Sequence, residues 1–402
     1  MTEEAPQKKT SWIKKAAARL FAILFGLSLA WFMAEVYFRV AFDSLPRETQ
    51  GVLQHVRRVP WDDEHMIPVF PWGSSYEYQG RMPVGLDDYR VHWGDARFTF
   101  NTINLWGGDE GFRTREPEWP MNIVAFGDSF TFCWVDVEDC WVERLHSDYG
   151  WNVMNLSLPG TGALSHRNLL ANYAPPMEPD VIIFQWFGND YKDDYDHAIM
   201  RSETEVLDAP AGASSPPDFG SFAEYSAVYR LFRNWLNDRD QEDESGEQLT
   251  LYAEVNGREV FFSLDQFSHD IDAWTSVQYG YERTIEATQS AHDITTDEIG
   301  AEFVVLLIPT KEEVYADLLG DAIDADYVAM LRDGALRLLD ECDARGWRCV
   351  DMLEPLKAQV NAGEHVYHAY DFHLNPLGNQ VVSDTLAAYL VSEGLLESSS
   401  NR

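Results

Sequence analysis

The sequence predicts an α/β fold on a parallel sheet, preceded by a helix able to cross a membrane. Three observations predict it. Nearly continuous apolar runs alternate with helical stretches, the pattern of βαβ units whose strands are buried on both faces. Three of those runs end in small or polar residues: Gly127-Asp128-Ser129, Pro159-Gly160-Thr161-Gly162 and Gly188-Asn189-Asp190. In such sheets ligands bind beyond the carboxyl ends of the strands. Finally, the first forty residues differ in composition from everything after them.

Residues 1–40 hold six basic and three acidic residues, a charge of +3, which leaves −40 of the total −37 on the other 362 of 402 residues. Between Arg19 and Glu35 runs an uncharged stretch, LFAILFGLSLAWFMA, continued by Tyr37, Phe38, Val40 and Phe42. Glu35 and Arg39 stand at i,i+4, where they can pair or snorkel, so the whole stretch is long enough to cross a bilayer. Trp31 and Tyr37 suit its interfaces. Five positive charges precede the span and place the N-terminus in the cytoplasm and the body outside it, periplasmic or extracellular. The reading is an uncleaved anchor over residues 1–43. The alternative is a cleaved signal peptide with Ser28-Leu29-Ala30 as the processing site.

Residues 44–115 read as an irregular lead-in with short strands, one of them Val91–Phe100. The pattern then sharpens. Asn122–Phe126 is a buried strand, and a helix follows around Glu138–Tyr149. Asn152–Leu156 is a second strand, followed by a helix around Ser165–Tyr173. Val181–Trp186 is a third strand. Glu302–Ile308 is a fourth, halted by Pro309. A helix over Tyr327–Arg345, with Leu331, Leu336, Leu338 and Leu339 as apolar positions, leads to the strand Arg348–Met352. A last helix spans Pro376–Ser392. Such units connect by right-handed crossovers. Between residues 195 and 280 the pattern fails. Ala209–Pro217 is rich in Pro, Ala, Ser and Gly, Asp238–Glu247 is a charge run, and Leu249–Phe262 carries Asn256-Gly257, a hairpin signal. This insertion is read as a lid over the site or as a surface excursion.

The composition excludes some classes. With 67 acidic against 30 basic residues and 45% hydrophobic residues, the chain has enough apolar material for a core and repels phosphate backbones. Nucleic acid is therefore not an expected partner. The four cysteines form two pairs seven apart, Cys133/Cys140 and Cys342/Cys349. Outside the cytoplasm these are candidate local disulfides; the alternative is four buried thiols.

The chemistry sits at strand ends. A serine between a buried strand and a helix exposes its hydroxyl, which needs a base to become a nucleophile. Among 11 histidines, His373 stands two residues after Asp371, just ahead of a helix. An aspartate there can accept from the imidazole Nδ1–H and fix its tautomer. The Ser129 N–H, the Gly160 N–H and the Asn189 amide are candidate donors to an oxyanion, with Gly160 letting the backbone approach a substrate closely. Asp190, Asp193, Asp194 and Asp196 form an oxygen-rich cluster without calcium-loop spacing. No metal and no cofactor is expected. The aromatic residues, 13% of the chain, are read mainly as core.

In order along the chain, GDSF at 127–130, the glycine of LPGTG at 160, GND at 188–190 and DFHLNPLG at 371–378 resemble the SGNH (GDSL-type) hydrolase superfamily. The resemblance covers roughly residues 115–395. It implies a flavodoxin-like three-layer α/β/α sandwich in a domain over 116–395, interrupted by the insertion at 195–280. It implies an acyl-enzyme on Ser129, with His373 as base and acid, Asp371 as its orienting partner, and an oxyanion hole of Ser129, Gly160 and Asn189. The sequence departs from the common pattern in three places, one of them Cys133, which stands where a small glycine is frequent. Asp-x-His replaces Asp-x-x-His, as in relatives that O-acetylate polysaccharides, and Gly188 directly precedes Asn189. Gly111-Phe112-Arg113 and Ile308-Pro309-Thr310-Lys311 are similar to segments of membrane-anchored members, with no role evident in the sequence. The expected function is a serine esterase acting outside the cytoplasm on an ester-bearing lipid or glycan. The alternatives are an O-acyltransferase modifying a cell-surface polysaccharide, and a non-catalytic glycan-binding scaffold.

Overall fold

The computed structural model describes residues 9–41, 61–62, 67–68, 75–81, 93–105, 111–200, 226–229, 231–232, 250–263 and 274–397. The Ala209–Pro217 stretch and the Asp238–Glu247 charge run lie outside the described residues. The chain divides into two units, residues 1–58 with 216–245, and residues 59–215 with 246–402. In the first, helix α1 (Lys9–Val40) contains a stretch, Lys14–Phe38, apolar and long enough to cross a membrane. By length and composition alone such a helix fits an anchor or a signal sequence equally.

The second unit is built on five parallel strands: β1 (Ile123–Phe126), β2 (Val153–Asn155), β3 (Val181–Trp186), β4 (Glu302–Leu307) and β5 (Arg348–Asp351). Their spatial order is β2-β1-β3-β4-β5. This is the flavodoxin-like order, whose direction reverses between β1 and β3. The register sets Ile123 beside both Val153 and Val181, and Val304 beside Ile183 and Arg348.

Side chains alternate between the two faces of each strand. Ile123, Ala125, Val181, Ile183, Val304 and Leu306 enter one core cluster; Val124, Phe126, Ile182, Phe184, Val305 and Leu307 enter the other. Helices at Trp141–Ser147, Lys311–Leu319, Leu353–Asn361 and Pro376–Ser392 cover the first face. Helices at Ala163–Tyr173, Trp274–Asp293 and Ala325–Arg345 cover the second. The fold is thus a three-layer α/β/α sandwich. In the Ala325–Arg345 helix the inward face is Leu331, Ala335, Leu338 and Cys342, at i, i+4, i+7 and i+11. Leu336, expected among the apolar positions, is 49% exposed because it falls on the opposite face.

Two helices cross the limits expected for the insertion. Asp190–Met200 runs past residue 195, and Trp274–Asp293 starts before 280. The Asn256-Gly257 hairpin is present: Thr250–Val255 pairs antiparallel with Arg258–Ser263. Both turn residues have positive φ, 50° and 75°, as a two-residue turn of this kind requires. Of the expected lead-in strand Val91–Phe100, residues 93–100 belong to the strand Trp93–Asn101, and Val91 and His92 lie outside the described residues.

Candidate active site

At the end of β1 the chain turns at once into a single helical turn, Ser129–Phe132. Gly127 has no room for a side chain, since a Cβ there would collide with Gln185 Oε1 and the Thr131 side chain. Gln185, fully buried on β3, accepts from the Asp128 N–H and the Thr131 hydroxyl, both at 3.0 Å. Asp128 caps the turn by accepting from the Phe130 N–H at 2.8 Å, a normal helix-start interaction. The GDS block is therefore a rigid corner that leaves the Ser129 side chain at the surface of the turn.

The second half of the site is the loop before the Pro376–Ser392 helix. Tyr367 and Leu374 form an antiparallel bridge across it, and the His368 N–H donates to the His373 carbonyl at 3.0 Å. Asn375 caps the helix through the Gly378 N–H at 2.9 Å and donates from Nδ2 to the carbonyls of His365 and Tyr367. A Cβ on Gly378 would collide with the Val366 carbonyl. The NPLG residues thus shape the loop that carries the histidine.

The loop brings three sequence-expected residues together. Ser129 Oγ lies 2.8 Å from His373 Nε2, and Asp371 Oδ1 lies 2.6 Å from His373 Nδ1 and 2.9 Å from the His373 N–H. Asp371 and His373 are 3% and 4% exposed. Burial works against the Asp371 carboxylate, but the neighbouring imidazole, through its charge and hydrogen bond, holds the carboxyl below its ordinary value. With Asp371 accepting from Nδ1–H, the Nε2 lone pair faces the serine hydroxyl. Trp134 stacks on the imidazole, with ring centroids 4.2 Å apart and planes 14° apart. Phe372 and Phe130 flank it at 4.1 and 5.0 Å.

The three expected oxyanion donors lie at the ends of β1, β2 and β3. Ser129 opens a helical turn, where N–H groups have no intrahelical acceptor. Gly160 is exposed at φ 72°, with nothing within 4 Å of where a Cβ would stand. That backbone angle favours glycine. Asn189 donates from Nδ2 to Asp193 Oδ2 at 3.0 Å. An amide has a second N–H, so one donor remains for a substrate oxygen.

Two buried cations hold the two loops, and neither role was visible in the sequence. Arg113, 4% exposed, donates to the carbonyls of Phe132, Cys133 and Val135, and lies over the rings of Phe98 and Phe132 at 4.9 and 5.2 Å. Burial brings its guanidinium down to about 10, against the opposing charges of Asp136 and Glu138. Lys311, 2% exposed, donates to the carbonyls of His368, Ala369 and Asp371 at 2.7, 3.0 and 3.2 Å. The two loops also meet, because His368 Nε2 donates to the Trp134 carbonyl at 3.0 Å. The GFR and IPTK segments had signalled this only as segments without an evident role.

Both cysteine pairs are bonded locally, Cys133–Cys140 and Cys342–Cys349. The first closes the loop that carries Trp134. Beneath the site lies a patch of buried acid. Asp128, Asp190 and Asp194 are all fully buried. Burial raises Asp128 and Asp194 to about 6 each, and raises Asp190 well above the ordinary range with help from the charges of Asp128, Asp194 and Asp193. Asp194 accepts from Thr284 Oγ1 at 2.6 Å and the Leu164 N–H at 3.0 Å. Among the described residues no group of three or more His, Cys, Asp or Glu side chains is arranged to hold a metal ion.

Residues 283–401 match a family described as SGNH hydrolase-like domain, acetyltransferase AlgX. That span holds Asp371 and His373 but not Ser129, Gly160 or Asn189. No curated protein matches the chain. Solved structures with similarity include a member of the lipolytic protein G-D-S-L family from Veillonella parvula, at 13% identity and TM-score 0.36 over 67% of this chain and 97% of that one. They include TesA, at 12% identity and TM-score 0.35 over 69% and 100%. An acetyl xylan esterase, Est2A, from Butyrivibrio proteoclasticus aligns at 10% identity and TM-score 0.31 over 72% and 68%.

Proposed function

We infer that this member of the SGNH (GDSL-type) hydrolase superfamily, an ester-acting hydrolase or related acyltransferase, works through Ser129, His373 and Asp371. The observation that carries the reading is the continuous relay of hydrogen bonds from Asp371 through His373 to Ser129, at 2.6 and 2.8 Å. In the first step His373 Nε2 takes the Ser129 proton while Oγ attacks the ester carbonyl. The carbonyl oxygen becomes an oxyanion near the Ser129 N–H, the Gly160 N–H and the Asn189 amide. The tetrahedral species collapses, His373 returns the proton to the leaving alkoxide, and an acyl-Ser129 ester remains. Water, or another hydroxyl, then attacks that ester with His373 again as base, releasing the acid or a new ester.

The primary reading is hydrolysis of an O-acyl lipid or glycan outside the cytoplasm. Two bonded cysteine pairs and five positive charges ahead of an apolar helix support the location. A second reading, O-acetyl transfer to a cell-surface polysaccharide, is favoured by the acetyltransferase description of the family matching residues 283–401 and by the Asp-x-His spacing. Full-length protein and Ser129→Ala are compared on p-nitrophenyl acetate and longer esters. Loss of turnover is expected, and equal rates would sink the nucleophile. Supplying a polysaccharide acceptor with labelled acetyl donor then partitions the acetyl group between free acetate and glycan. Label retained on glycan selects transfer.

A further inference from the structure

Glu35 lies within the apolar stretch of α1, near its C-terminal end. A carboxylate at that depth is costly unless it is paired or hydrogen-bonded. In this chain its partners come from almost two hundred residues downstream. The Ser226 hydroxyl and the Val228 N–H (3.1 Å) donate to Glu35 Oε1, and the Ala227 N–H donates to Oε2 at 3.0 Å. The Ser226 hydroxyl also accepts from the Tyr229 N–H at 3.1 Å. Around this polar knot Ala227, fully buried, packs with Phe38, Ala41 and Leu231. Residues 1–58 and 216–245 form one unit of the chain.

A signal sequence that is cut away has no lasting partner in the mature chain, and nothing in folding selects one. Here a hydroxyl, two amides and an apolar contact converge on one helix end. We propose that α1 is retained and that the segment around Ser226–Phe232 docks on its outer end through Glu35. There it forms a second contact with the lipid surface. The partner is the interfacial layer of the bilayer that α1 crosses. Phe232, in the same segment, is 54% exposed. In sequence, Tyr229, Phe232 and Trp235 recur every third residue with Arg230 and Arg233 between them. That mixture of aromatic and basic residues is typical of segments lying in a membrane interface. The inference rests on the anchored, extracytoplasmic reading and gives part of the 195–280 insertion a role away from the lid.

The test uses full-length protein in vesicles of phosphatidylcholine and phosphatidylglycerol. Intact mass first reports whether residues 1–40 remain. A fluorophore on Phe232→Cys, selective because the native cysteines are disulfide-bonded, is then challenged with brominated lipid. Strong quenching is expected, with quenching lost in Glu35→Leu and largely kept in Glu35→Gln, which retains an acceptor oxygen. Proteolysis of the 216–245 segment is expected to quicken about tenfold in Glu35→Leu. A chain that has lost α1 overturns both the anchor and the docking. A chain that keeps α1 but shows no quenching, or equal quenching and proteolysis in Glu35→Leu, overturns the docking alone.

Discussion

The loop after Ser129 and the loop before the last helix meet the same demand by different means. Each holds one member of the proposed triad, Ser129 or His373, while several backbone carbonyls are buried, and an unpaired buried carbonyl is costly. The serine loop is closed covalently by Cys133–Cys140 and clasped by Arg113. The histidine loop has no covalent link and relies on Lys311, Asn375 and the Tyr367–Leu374 bridge. The difference teaches that each buried cation acts as a hub for three carbonyls, and that only one of the two hubs has a covalent reserve.

The largest effect comes from removing the groups that join the loops. His373→Ala is expected to lower kcat by about 10³-fold or more, and Ser129→Ala/His373→Ala by no more than the worse single change, because the two act as a unit. Measured additivity of the two losses would break this reading.

Next comes the contrast between the hubs. Lys311→Met is expected to cost about 10- to 100-fold in kcat with KM little changed, since a small displacement of His373 is enough. Lys311→Arg should recover part of it. Arg113→Met is expected to cost less while the disulfide is intact, and to approach the Lys311→Met loss after reduction of Cys133–Cys140. Equal losses before and after reduction would remove the covalent reserve from the comparison.

Trp134 is a smaller test. An aromatic face favours the cationic imidazolium that forms as Ser129 is deprotonated. Trp134→Leu is expected to lower kcat/KM about 3- to 10-fold, with Trp134→Phe keeping most of the rate. A loss in Trp134→Phe as large as in Trp134→Leu would take the aromatic face out of the comparison.

The smallest effect concerns stability. Asp128 and Asp194, at about 6, hold protons when folded that they release when unfolded between about pH 4 and 6, and Asp190, raised well above the ordinary range, acts in the same direction. Folding then binds protons, so these three groups make the protein less stable as pH rises through that window. Asp190→Asn removes one such burden. Its Tm should exceed the wild-type value by about 2–4 °C at pH 8, and the gain should shrink at pH 5. A lower Tm at pH 8 would show that the ionised carboxylate is wanted.

Much of this was legible in the chain. The strand Val181–Trp186 and the helix Pro376–Ser392 stand where the apolar runs and the flanking Gly and Pro residues put them, because those signals are local. The Asn256-Gly257 turn was readable for the same reason. The motif blocks led to Ser129, Asp371 and His373, which the structure brings into hydrogen-bonding contact. The roles of Arg113 and Lys311 were not legible. Their partners are backbone carbonyls, which every residue carries and which leave no mark in sequence. Leu336 was misplaced because apolar residues alone do not show which helix face is outward.

By itself the sequence determined the elements: which runs are buried strands, where they break, and which reactive residues stand at the breaks. Short-range hydrophobicity and backbone preference are enough for that. Only the tertiary structure decided the order β2-β1-β3-β4-β5, the meeting of Ser129 with His373, the use of two cations as carbonyl hubs, and the return of Ser226 to Glu35. Each of these depends on contacts between distant residues, whose energies are set by packing, burial and geometry that no local stretch contains.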